Sequence, residues 1–154
     1  MKSARLGGRL FSIALALVLA YGLGQGLLPF ADAPSPASSA RVGNADQAVA
    51  SAFAARQSDI AIEGEGEVIK LLPDDTRGSQ HQRFVLRLAS GATLLVAHNI
   101  DLAPRLEALQ VGDRLRFAGE YEWNERGGVL HWTHADPRGQ RAGGWLELHG
   151  RRYQ

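Results

Sequence analysis

Histidines and carboxylates are concentrated in the second half of the chain, where most fall near the ends of predicted strands. All five histidines follow residue 80. Imidazole and carboxylate groups together suit a divalent metal ion such as Zn²⁺, or a general acid–base pair. The candidate catalytic residues are His98, His131, His134 and Asp101. The candidate metal ligands are His98, His131, His134 and Asp136.

The same region also suits a binding surface. Its candidate binding residues are His81, Gln82, His98, Asn99, Asp101, Tyr121 and Trp132. In this interpretation Tyr121 and Trp132 offer a stacking platform for bases or sugars. A structural alternative is equally concrete: Gln82 and His98 close one end of the core by donating hydrogen bonds to loop carbonyls, while Asn99 and Asp101 cap a following helix. Whether the protein is an enzyme stays open at this point.

A β-hairpin between His81 and Asp101 positions these polar residues. Phe84, Leu86 and Leu88 alternate with Arg83, Val85 and Arg87, which is the pattern of a strand with one buried face. Gly91 suits the left-handed position of a three-residue turn. The register that buries most apolar residues on one face pairs Leu88 with Ala92, Leu86 with Leu94, Phe84 with Val96, and Gln82 with His98.

The order of the remaining elements predicts a mainly β fold. A strand over Asp59 to Leu72 precedes the hairpin, and Gly64 and Gly66 allow it to bend. The same strand carries an acidic stripe, which we interpret as a solvated face: Glu63, Glu65 and Glu67. A short helix with Pro104 in its first turn follows the third strand. Further strands are predicted over Arg114 to Trp123, Val129 to His134 and Gly144 to His149. This order matches a small OB-like Greek-key barrel of five to six strands, with the short helix after the third strand and an N-terminal helix; another small antiparallel barrel or sandwich is the alternative.

The chain divides into a leader, a linker and one folded domain. Basic residues precede a long apolar run, so residues 1–33 are a signal peptide or an N-terminal membrane anchor. Residues 34–43 are a Pro/Ser/Ala linker, residues 44–58 a helix that packs on the domain, and residues 59–154 the barrel. We expect export, with the domain periplasmic or anchored to the inner membrane and facing the periplasm.

The amino-acid composition excludes some kinds of site and argues against one class of partner. There are no cysteines, which excludes disulfides and thiolate metal sites. The formal net charge is +1, and from Ile60 onward the 13 acidic residues balance 12 lysines and arginines. A domain without basic excess gains little from releasing counterions, so nucleic acid is not an expected partner.

Four segments resemble a family of small exported bacterial proteins classed as a domain of unknown function. They are LPDDTRGSQHQRF, LLVAHNIDLAPR, GDRLRFAGEYEWNERGGVLHWTHADP and GGWLELHGRRYQ. The resemblance covers about Ile62 to Gln154 and implies a bacterial source and a compact domain. It supplies no activity. The family pattern often has a second histidine where Ala135 stands, and this departure weakens the case for a metal site there.

We therefore expect an exported cell-envelope protein that acts as a small ligand- or protein-binding β-barrel module, with an unknown envelope ligand or protein as its partner. The alternative is a small His/Asp-dependent hydrolase of phosphoesters or esters, with a divalent metal ion as cofactor in its metal-assisted form.

Overall fold

The structure, a computed structural model, describes residues 36–154, with side chains from residue 45 onward. The predicted signal peptide or anchor at residues 1–33 lies outside the described residues. Within the described part, no helix combines the length and the apolar character that a membrane crossing requires.

One helix and seven strands make up the described part of the chain, which confirms the predicted mainly β class. The last strand, β7, is additional to the predicted elements. The elements are α1 Pro36–Ala55, β1 Ile60–Asp75, β2 His81–Arg87, β3 Thr93–Asn99, β4 Arg114–Glu122, β5 Val129–His131, β6 Trp145–Leu148 and β7 Arg151–Tyr153.

Five of the strands close into a ring. The sheet order is β1-β2-β3-β5-β4-β6-β7, and β1 also pairs with β4, so β1, β2, β3, β5 and β4 form a cycle. The β3–β5 pair is parallel and the other pairs are antiparallel. This arrangement is consistent with the predicted small barrel-like fold.

The long strand β1 closes the ring because it pairs along both of its edges. Residues 60–67 pair with β4, and residues from Glu67 onward pair with β2. Gly64 lies where α1 crosses the strand: a Cβ at this position would stand 2.4 Å from the Ala45 Cβ and 3.0 Å from the Phe117 ring. A glycine is therefore needed for α1 to pack against the sheet.

The central hairpin has the register that the sequence predicts. Leu86 pairs with Leu94, Phe84 with Val96 and Gln82 with His98. The Leu88 amide donates to the Ala92 carbonyl at 2.8 Å. The apolar residues that this register places on one face, Phe84, Leu86, Leu94 and Val96, are completely buried, as are Leu115 and Phe117 of β4.

The predicted short helix after the third strand is wrong, because residues 101–109 form turns and irregular backbone. Pro104 disfavours helical conformation at the preceding residue. In addition, side chains from β2 and β3 bond the backbone of Leu106 and the carbonyl of Pro104, groups that a helix would use internally. The apolar residues of the segment still reach the core: Ala103, Leu106 and Leu109 are buried.

Several element boundaries also differ from the sequence expectation; β5 ends at His131 where the prediction continued to His134, and α1 ends at Ala55 where residue 58 was predicted. Helix α1 begins at Pro36 and so includes part of the stretch interpreted as a linker. Alanine favours helix, and proline is well tolerated at the first helical position. Strand β1 continues through Pro73 to Asp75, beyond the predicted end at Leu72.

The acidic stripe of β1 lies on the outer face of the sheet, among arginines of the neighbouring strands. Glu63 lies 3.9 Å from Arg116, and Glu67 lies 3.0 Å from Arg87. Between them, Glu65 pairs with Arg114, with an Oε1–Nε distance of 2.7 Å. These contacts fit a solvated face whose charges are balanced across strands.

We expect Phe84→Ala to lower the free energy of unfolding by about 3–5 kcal/mol, because it leaves a cavity among completely buried side chains. Phe53→Ala is the matched control: this phenylalanine is 41% exposed, so its loss should cost less than about 1 kcal/mol. Urea denaturation of both variants measures the difference. Equal costs would contradict the burial of Phe84 in the core.

Candidate functional site

Gln82 and His98 face inward at one end of the core and bind the irregular segment that follows β3. They are register partners on β2 and β3. The Gln82 amide pairs with one residue of the segment: its Nε2 donates to the Leu106 carbonyl at 3.1 Å, and the Leu106 amide donates to its Oε1 at 2.9 Å. Gln82 therefore makes the same two hydrogen bonds to Leu106 that a residue of a neighbouring strand would make. The structural alternative predicted one of them, the bond that Gln82 donates to a loop carbonyl.

The His98 ring is buried and both of its nitrogens have protein partners. Nε2 lies 3.1 Å from the Pro104 carbonyl oxygen and Nδ1 lies 2.8 Å from the Thr133 hydroxyl. A carbonyl only accepts, so the network assigns the proton to Nε2 and leaves Nδ1 to accept from Thr133. Burial lowers the pKa of His98 to about 4, against the opposing effect of its bond to Pro104. In this arrangement His98 has no free lone pair for a metal ion or a substrate proton.

His134 and Asp136 organise the loop between β5 and β6. His134 is buried, with Nδ1 2.8 Å from the Ala135 carbonyl. The Asp136 carboxylate accepts from the backbone amides of Arg138, Gln140 and Arg141 at 2.7–3.1 Å. These bonds, led by the one from Arg138, lower the pKa of Asp136.

The candidate metal ligands are therefore not assembled around a common point. Among residues 36–154, no group of three or more His, Cys, Asp or Glu side chains is arranged to hold a metal ion.

The remaining polar candidates, His81, Asn99 and Asp101, stay at or near the surface, at the same end of β2 and β3. The Asn99 Oδ1 accepts from the Asp101 amide at 2.9 Å, which forms a local turn where a helix cap was expected. The Asp101 carboxylate accepts from the Gln80 amide at 2.7 Å and so joins this turn to the start of β2. His81 and His131 meet edge to face, with ring centroids 6.0 Å apart.

Tyr121 belongs to the core. Its side chain is completely buried, and its hydroxyl donates to the Gly127 carbonyl at 3.4 Å. Gly128, with φ +89°, lies directly against the ring, where an added Cβ would come within 2.2 Å. The aromatic stacking platform expected from Tyr121 and Trp132 therefore cannot include an exposed Tyr121 face.

Trp132 follows β5 and has an unusual backbone. Its φ is +53°, the left-handed region that bulky residues rarely adopt and that is often found at functional positions. The Arg141 guanidinium lies 4.1 Å from the centre of its ring, and the His134 ring lies 4.8 Å away. Arg141 also pairs with the Glu120 carboxylate. The indole Nε1 is buried and, within the described residues, has no hydrogen-bond partner.

Trp132 and Arg141 stand between two surface clefts. The larger, here called the Trp132 cleft, has a volume of about 480 Å³ and lies between β1, β4 and the loop before β6. Its lining includes Glu63, Glu120, Trp132, Arg141, Gly144 and Trp145. A second cleft of about 340 Å³ shares Trp132 and Arg141 with it and is also lined by Asp136 and Leu102.

Gly144 shapes the wall of the Trp132 cleft. A Cβ here would stand 1.9 Å from the Trp132 carbonyl oxygen and 2.5 Å from the Ala118 carbonyl oxygen, so any side chain would push the loop off β4. Sequence reasoning identified Trp132 as a candidate but missed Glu63, Glu120, Arg141 and Trp145 as its neighbours. The Gly-Gly-Trp run at residues 143–145 was the available signal, since paired glycines mark a close backbone approach.

Comparison with known proteins identifies the family of the chain. A family described as "Protein of unknown function (DUF3465)" matches residues 33–154. The chain belongs to the DUF3465 family. The predicted resemblance to a domain of unknown function is thereby confirmed, and membership assigns no activity. No curated protein matches the chain.

The buried neutral His98 predicts acid sensitivity. Its folded pKa of about 4 lies below the ordinary 6.5, so the unfolded state binds the extra proton between these values and stability falls as pH drops. From pH 7 to pH 5 the loss attributable to His98 is about 2 kcal/mol. Urea denaturation of the parent and of His98→Gln at both pH values measures it. The variant should lose less stability on acidification than the parent; equal losses would show that another group is responsible.

Proposed function

We propose that this protein is a non-catalytic binding module of the cell envelope, and that the Trp132 cleft receives a small organic ligand. The observation that carries the proposal is Trp132 itself. A bulky aromatic residue is held in a left-handed backbone conformation at the boundary of two clefts, and its buried indole N–H has no hydrogen-bond partner among the described residues. Strain and unsatisfied polar groups of this kind are more often kept at functional positions than in a scaffold.

The lining of the cleft favours a ligand with a flat or apolar face and hydrogen-bonding groups at its edge. Two tryptophans supply apolar surface, and Glu63 and Glu120 supply acceptors. The single lining cation, Arg141, is already paired with Glu120. Two carboxylates against one paired guanidinium disfavour a phosphate-rich ligand, in agreement with the neutral composition of the domain.

Arg141 is the group whose position would control access to the Trp132 ring. Its guanidinium covers the ring at 4.1 Å while its own side chain is exposed. Cation–π contacts at exposed sites contribute about 0.5–1 kcal/mol, so a ligand that stacks on the ring can displace this contact. Glu120 pairs with one terminal nitrogen of Arg141, so the other N–H donors of the guanidinium remain for the ligand's polar edge.

The hydrolase alternative has weaker support. His98, one of the candidate catalytic residues, has both ring nitrogens bonded to protein groups. A general base needs a free lone pair within reach of substrate, and His98 lacks one.

Fluorine NMR of the full-length protein labelled with 5-fluorotryptophan tests the binding proposal. The chain has three tryptophans. Two line the cleft, while Trp123 packs against the core and Arg56. Maltohexaose and adenosine are the probes, with AMP as a charged counterpart of adenosine. We expect at least one neutral probe to shift the Trp132 and Trp145 resonances and leave Trp123 unchanged, with AMP weaker than adenosine.

Variants assign the signals and test the role of the ring. Trp132→Ala should weaken binding of the active probe about tenfold or more, because stacking on an aromatic ring contributes about 1–3 kcal/mol. Trp123→Phe is the control and should leave affinity unchanged. If neither neutral probe shifts the cleft resonances at millimolar concentration, or if all three tryptophans respond alike, the proposal fails.

Export is part of the same proposal and is supported by the basic and then apolar order of the first thirty residues. Cell fractionation should find the protein in the envelope fraction, and mass spectrometry of its N-terminus distinguishes a cleaved signal from a retained anchor. Recovery of the protein in the cytoplasm would refute export.

A further inference from the structure

A pair of histidines lies on the outer face of the sheet, outside both the Trp132 cleft and the buried end of the core. His81 opens β2 and His131 ends β5, with β3 between them. Both rings are partly exposed and meet edge to face, 6.0 Å apart between centroids. The intervening strand carries Ala97 on this face, and that small side chain is only 7% exposed, as expected beneath larger neighbours.

We infer that His81 and His131 form a binding site for a divalent transition-metal ion of the kind that imidazole prefers, Zn²⁺ or Cu²⁺. The inference is independent of the proposed ligand cleft.

The hydrogen bond of His81 orients this ring as metal ligands are usually oriented. Its Nδ1 lies 2.8 Å from the Ser79 carbonyl oxygen, which can only accept, so Nδ1 carries the proton. The lone pair of Nε2 then has no hydrogen-bond partner within residues 36–154. Histidines that bind metals typically donate their other ring N–H to a carbonyl or a carboxylate, because this fixes the tautomer and raises the basicity of the ligating nitrogen.

The second ring is free to complete the pair. In the described part of the chain the His131 ring has no hydrogen bond, so it can turn without breaking one. A metal ion lies about 2.1 Å from each ligating nitrogen, which places it about 3.2 Å from each ring centre. The two ring centres are then about 5 Å apart when the nitrogen–metal–nitrogen angle is tetrahedral and about 6.4 Å apart when it is linear. The observed 6.0 Å lies within this range, so the two rings are at the separation that a shared ion requires.

One carboxylate lies close to the pair. Burial lowers the pKa of His131 and the neighbouring His81 acts in the same sense, while the Glu122 carboxylate on the adjacent strand β4 acts in the opposite sense. Since no group of three ligands is present in residues 36–154, two imidazoles hold the ion and water fills its other positions. Such a site leaves coordination positions open to a further ligand.

Metal titration of the untagged full-length protein tests the inference. Isothermal titration with Zn²⁺ should show one saturable site, and Cu²⁺ electron paramagnetic resonance should show coupling to two imidazole nitrogens. His81→Gln and His131→Gln should each raise Kd about tenfold or more. Zn²⁺ should raise the Tm of the parent but of neither variant, because it binds only the folded state.

His149→Gln is the matched control. This histidine is exposed, and its Nε2 lies 3.3 Å from the Asp113 carboxylate, so it offers a single imidazole beside a carboxylate. Its loss should leave Kd within about twofold of the parent. Absence of saturable binding, an equal loss in His149→Gln, or a loss confined to one of the two histidines would each overturn the inference. Circular dichroism of all three variants verifies that the fold is retained.

Discussion

The fold depends on one strand that must pair with neighbours on both of its edges. Strand β1 binds β4 along its first half and β2 along its second, and Glu67 has a register partner on each. A strand can change partners in this way only where its backbone coils strongly, and Gly64 and Gly66 lie at this point. Without β1 in both pairings the sheet would be open, and the end that Gln82 and His98 close would not exist.

Alternation of apolar residues was sufficient to predict the hairpin down to its register, because a slip of one residue would expose Phe84, Leu86, Leu94 and Val96 together. The segment after β3 was not predictable in the same way. Ala103, Leu106 and Leu109 have a spacing that fits a helix, but the backbone of Leu106 is bonded by Gln82, which is 24 residues away in sequence, and the Pro104 carbonyl is bonded by His98. Strand β7 was missed because Arg151, Arg152 and Tyr153 show no apolar alternation; its pairing with β6 defines it.

The residues of the candidate sites could be predicted from their types, but the directions in which their side chains point could not. Sequence reasoning singled out the histidines, yet could not tell that His98 turns inward to Pro104 and Thr133 while His81 and His131 turn outward. The difference follows from strand parity once register and bulges are known. Trp132 was identified by type alone. Its left-handed backbone and its stacking with Arg141 depend on the loop before β6, whose shape is set by Asp136 and Gly144.

Strand β7 has a further consequence for how the protein behaves among its own copies. It pairs with β6 on one side, and in the sheet order of the described residues it stands at the outer edge. An edge strand exposes unpaired amides and carbonyls that invite another chain to add a strand. Here that edge is three residues long and carries two exposed arginines. A second copy docking there in antiparallel register would bring like charges together, so the end of the sheet resists self-association and amyloid-like growth.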